Sequence, residues 1–182
     1  MRIKGTAVRS VLEGIEAAYG ANALARVKAA LPPAVRAEIE PSVLASKEYG
    51  VGVNAALHDA VSEVLGAGSI AANRRVGAEA ARIDFRGVYS VFLRVADYET
   101  LLRRLDRAFR QYNSQGHVTW EEIRPGRAQG RIDGVEGFTE PMWHAIAGRL
   151  EALLVLAGAK RATTTVESWS SKHCAFLARW TP

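Results

Sequence analysis

Thr139-Glu-Pro-Met-Trp-His-Ala-Ile-Ala-Gly-Arg-Leu-Glu-Ala-Leu-Leu-Val-Leu-Ala-Gly158 is the stretch on which the fold turns. A hydroxyl, an early carboxylate and a proline in the first turn make a helix start. Trp143, Ile146, Ala147, Leu150, Leu153, Leu154 and Ala157 then recur at helical spacing, and Gly158 closes the run. The flanks differ in kind. His117–Ile123 and Arg127–Ile132 read as two strands joined at Pro125-Gly126. Arg161–Trp169 and Cys174–Trp180 read as two more, rich in β-branched and aromatic residues. One broad-faced helix between two strand pairs predicts a small antiparallel sheet packed with that long helix.

Upstream the pattern is helical. The spacing predicts helices over Thr6–Tyr19, from Asn22 to Leu31, and from Pro33 to Ile39. Residues 41–52 read as an irregular connection. A further helix carries Val53, Leu57, Ala60, Val61, Val64 and Leu65 and ends at Gly66. Ser69 is placed to cap the next one, which runs to Ile83. Gly77 inside it costs about 1 kcal/mol against alanine. Val88–Leu93 fits helix or strand. Asp97 reads as the N-cap of a helix to Tyr112. The expectation is one α+β domain over residues 1–182, helical to about 112 and α/β from about 113.

Composition narrows the class. The 182 residues are 48% hydrophobic and 24% charged, which excludes a disordered or collagen-like chain. No run approaches the ~18 apolar residues of a membrane span. Cys174 is the only cysteine, so no internal disulfide can form, and with a start unlike a secretory leader a cytoplasmic location is expected. The net charge of +5 permits contact with nucleic acid or anionic lipid without requiring it.

Candidate chemistry is sparse. His58, His117, His144 and His173 are scattered, with no pair at metal-ligand spacing, so no metal site is expected. Cys174 lies beside His173, but strand neighbours point to opposite faces. Glu121 and Glu122 split across a strand in the same way. No phosphate-binding or nucleophile-elbow motif is present. No nucleophile–base pair can be named, which ranks an enzyme last. Arg103, Arg104, Arg107 and Arg110 form a basic helix surface, which Arg94, Arg124, Arg127 and Arg131 could extend. It suits an acidic partner or nucleic acid, or is a solvated face paired with Glu99 and Asp106. Tyr89, Phe92, Tyr112 and Trp143 are the candidates for lining a ligand pocket between sheet and helices.

The run Lys4-Gly-Thr-Ala-Val-Arg-Ser-Val-Leu-Glu-Gly-Ile-Glu-Ala-Ala-Tyr-Gly20 resembles the first helix of haem nitric-oxide/oxygen-binding domains. Met142–Lys160 resembles their last long helix, and that of the vinyl-reductase-type domains of the same fold. Cys174-Ala-Phe176 is similar to the ending of the latter. Leu31-Pro-Pro33, Gly87–Arg94 and Phe109-Arg-Gln-Tyr112 look like landmarks of a family of about this length best known from myxobacteria. The resemblance implies a helical half and an α/β half around a small-molecule pocket, often in sensory proteins. It also implies an iron-binding histidine early in the helix that starts at Asp97. There the sequence reads Asp97-Tyr-Glu-Thr-Leu101, without a histidine. The family's Tyr-x-Ser-x-Arg clamp for porphyrin carboxylates has no match; the nearest stretch is Trp120-Glu-Glu-Ile-Arg124. Conventional haem ligation is therefore not expected, and no other cofactor can be named. The leading expectation is a non-enzymatic module binding a small hydrophobic ligand and signalling to a partner. The alternatives are a ligand-free interaction or scaffold module, as in transport-complex subunits of this broad fold and possible as a homodimer, and a nucleic-acid binder acting through the arginine face.

Overall fold

The computed structural model describes residues 1–85 and 97–182. The first half carries β1 (Arg2–Lys4), α1 (Gly5–Tyr19), α2 (Ala21–Ala30), α3 (Pro33–Ile39), β2 (Glu48–Gly50), α4 (Val51–Gly66) and α5 (Ala71–Asp84). The second carries α6 (Tyr98–Tyr112), β3 (His117–Arg124), β4 (Arg127–Asp133), α7 (Glu140–Leu156), β5 (Arg161–Trp169) and β6 (His173–Thr181). The last four strands form one antiparallel sheet in the order β3-β4-β6-β5, with α6 and α7 packed on it. The α+β reading is therefore correct. Val88–Leu93 lies outside the described residues.

The irregular connection over 41–52 needs correction. Glu48–Gly50 pairs antiparallel with Arg2–Lys4, and α4 begins directly at Val51. Ile3 and Tyr49, opposite each other, are both buried. Three-residue strands are too short to show a two-residue period, so the pattern hid them.

Two expected caps behave differently. Asp97 caps α6 as expected, its Oδ1 accepting from the Thr100 amide at 2.7 Å. The Thr139 hydroxyl instead donates to Asp59 on α4 at 3.5 Å, away from the helix it precedes.

Glycine explains how closely the central helices approach. A Cβ on Gly77 of α5 would stand 2.0 Å from the Ala145 carbonyl oxygen of α7. A Cβ on Gly148 of α7 would stand 2.0 Å from the Arg74 carbonyl oxygen of α5. The two glycines thus let α5 and α7 meet backbone to backbone. The propensity cost of Gly77 is offset by that contact.

Candidate functional site

A cavity of about 160 Å³ lies between the helical half and the sheet. Among the described residues α1 gives it Ala7 and Val11, and α4 gives Asn54 and His58. The α6 helix contributes Leu105, Ala108, Phe109 and Tyr112, all from its later turns. The α7 helix contributes Met142, Ala145, Ile146, Arg149, Leu150 and Leu153. The sheet closes the far side with Trp120, Ile132 and Phe176. The Trp120 ring can lie there because position 130 is glycine: a Cβ would stand 2.6 Å from it.

Most of the wall is apolar, so its few polar atoms stand out. His58 is 3% exposed, and its Nδ1 lies 2.7 Å from Oδ1 of Asn73. Asn73 in turn donates to Oγ of Ser62 at 2.6 Å. Burial pushes the His58 pKa down to about 4, so the ring is neutral at neutral pH. Oδ1 of Asn54 and Nε1 of Trp120 are buried and meet no hydrogen-bond partner among the described residues.

One wall is also a charged knot. Arg149 donates to Asp84 at 2.8 Å and to Ser10 at 2.6 Å, and Ser10 donates to the same carboxylate at 2.8 Å. The Arg149 guanidinium lies 5.9 Å from the Tyr112 ring centre. Burial, with Asp84 beside it, pushes the Tyr112 phenol up to about 12. The knot ties α1, α5, α6 and α7 together.

The four aromatic candidates divide. Tyr112 lines the cavity. Trp143 does not: its ring is fully buried against Phe138, 4.6 Å away between centres, and its Nε1 donates to the Ser170 carbonyl at 2.9 Å. It supports the wall from behind. Tyr89 and Phe92 lie outside the described residues. His58, Asn54 and the Asn73–Ser62 pair were missed. Asn54 and His58 are four residues apart on α4, a spacing that puts them on one face.

The remaining candidates fall elsewhere. Arg103 pairs with Glu99 at 2.8 Å, and Arg110 pairs with Asp106. Arg104 and Arg107 are exposed on the same helix, with no ion pair among the described residues. Arg124 pairs with Glu122, and Arg131 with Glu121 and Asp133. His144 meets Arg74 at 3.1 Å, and burial with that cation lowers its pKa. Cys174 is buried, which pushes its thiol up to about 12, while His173 is exposed on the other face. Among the described residues no cluster of three or more histidine, cysteine or acidic groups could hold a metal ion. No described helix is long and apolar enough to cross a membrane.

A second recess, about 340 Å³, lies between the start of α6 and the β3–β4 turn, beside Tyr98 and Trp180. Its charged lining groups are already engaged: Asp97 caps α6, Glu99 holds Arg103, and Arg124 meets Glu122.

A family model matches residues 3–181, nearly the whole chain. The chain belongs to the DUF2378 family. That family is described as a protein of unknown function. No curated protein matches the chain. Solved structures do, at the level of fold. An unliganded iron(II) H-NOX protein from K. algicida is 11% identical, with a TM-score of 0.71 over 98% of this chain and 97% of that one. An oxygen-binding H-NOX domain related to soluble guanylate cyclases, in its oxygen complex, is 13% identical with a TM-score of 0.71, covering 98% and 95%. An H-NOX protein from S. oneidensis in the Fe(II)NO ligation state is 11% identical with a TM-score of 0.70, covering 98% and 99%. The DUF2378 chain thus has the H-NOX fold, as the resemblance implied.

That fold raises the question of haem, and the residues present do not fit it. The cavity, about 160 Å³, matches the ~150 Å³ that holds a benzene. The lining part of α6 carries no imidazole, and Tyr98 in its first turn packs on Trp180, 5.2 Å between ring centres. The lining arginines, Arg131 and Arg149, are both held by acids.

Proposed function

We propose that this protein is a non-enzymatic, small-ligand-binding sensory module whose ligand sits in the cavity between the helical half and the sheet. The carrying observation is a mostly apolar cavity of about 160 Å³ whose wall holds two buried polar atoms, Asn54 Oδ1 and Trp120 Nε1, that meet no partner among the described residues. Close-packed cores keep few voids of this size and few unmet polar groups, and here a void and two such groups coincide. The H-NOX fold supports the same reading, since one of the similar H-NOX proteins is an oxygen complex and another is in the Fe(II)NO state. The ligand here is not haem, on the fit of volume and side chains above. The four helices tied at Arg149 give ligand binding a route to the surface, where Arg104 and Arg107 stand ready for a partner.

Native mass spectrometry of freshly purified protein tests this. The expected result is a bound mass that is lost on denaturation. Ala108→Leu, which fills the cavity from α6, should keep the fold and lose that mass. A bare native mass in both proteins would remove the ligand reading and favour an interaction module, with a dimer mass naming its partner.

A further inference from the structure

The side chain of Asn73 decides the chemistry of the cavity wall. It is fully buried, and both ends of its amide are used. The Nδ2 end donates to Ser62 at 2.6 Å, so the Oδ1 end faces Nδ1 of His58 at 2.7 Å. A carbonyl oxygen only accepts, so Nδ1 carries the ring proton. In a neutral imidazole that leaves Nε2 as a bare acceptor. Among the described residues no hydrogen bond reaches it. Oδ1 of Asn54, one turn earlier on α4, is a buried acceptor that meets no partner among the described residues. Unmet buried acceptors are costly, and a donor brought by a ligand removes that cost.

The charges point the same way. No carboxylate stands among the described lining residues. Arg149 is held by Asp84 and Arg131 by Glu121 and Asp133. Among the described residues an ammonium or carboxylate ligand would shed its water and find no unanswered counter-charge.

We propose that the cavity takes a neutral ligand of single-ring size carrying an O–H or N–H group, and that Nε2 of His58 accepts the hydrogen bond from it. This rests on the ligand-binding reading above and adds the ligand's class. His58 recognises the donor, and the Asn73–Ser62 pair positions His58.

Phenol and toluene test it, because they share a ring and differ in the donor. The full chain, labelled with nitrogen-15, is titrated with each at neutral pH, and the imidazole signals are followed. The expected result is a His58 ring protonated on Nδ1, an Nε2 signal that moves with phenol, and phenol binding at least about tenfold tighter than toluene. His58→Phe should level the two affinities; if that variant does not fold, the wild-type imidazole signals decide alone. A ring protonated on Nε2 overturns the proposal. Equal binding with an unmoved Nε2 signal also overturns it, yet leaves the cavity as a ligand site. Failure of both probes to bind removes both readings.

Discussion

Acid should weaken this protein through one buried ring. His58 titrates near 6.5 when unfolded and at about 4 in the fold. Between those values the unfolded chain binds a proton that the folded chain refuses, so stability falls as pH falls. The contribution is intact above about pH 6.5 and is lost progressively down to about pH 4. At 1.36 kcal/mol per unit, the loss is about 2 kcal/mol by pH 5 and about 3 kcal/mol in all. The assay is urea unfolding at a series of pH values. His144, also lowered, adds in the same direction, and Asp59, raised by burial, opposes it. The comparison is therefore with His58→Asn, which keeps an N–H for Asn73 and removes the titrating ring. The wild type should lose about 2 kcal/mol more than the variant between pH 7 and pH 5. Equal losses in the two proteins would refute the reasoning, because His58 would then not be a buried neutral imidazole.

Further outcomes follow from the packing. Gly148→Ala sets a methyl 2.0 Å from the Arg74 carbonyl oxygen and must part α5 from α7; urea unfolding should show a loss of about 1–3 kcal/mol despite alanine's better helix propensity. Asp97→Ala removes the cap on α6 and should lower the midpoint in the same assay. Arg103→Ala on the exposed face of that helix should cost less than about 0.5 kcal/mol. Cys174, buried and with its thiol pushed up to about 12, should react with a disulfide reagent only as the chain unfolds, so its labelling rate should rise with urea.

Much of the fold was legible because its long elements repeat cleanly. The apolar positions of α1 and α6 fall on single faces, those of α7 run round most of the helix, and the strand pairs alternate around Pro125-Gly126. What stayed hidden was non-local. The β1–β2 ribbon joins residues more than forty positions apart through three-residue strands. The helix cost at Gly77 is answered by Ala145, which no local rule could identify. The site was less legible for the same reason. Tyr112 could be chosen as an aromatic near the end of a helix, and it does line the cavity. Trp143 could be chosen on the same grounds, yet its indole is spent on Ser170. His58 reads as an isolated histidine until Asn73, fifteen residues on, fixes its ring.

The most direct measurement is diffraction from crystals of the protein held under xenon. A cavity near 150 Å³ lined by apolar side chains takes xenon or benzene, and the one described here is about 160 Å³. The expected result is a xenon peak between His58 on α4, Met142 on α7 and Phe176 on β6. A filled core at that place, with no peak, would contradict it.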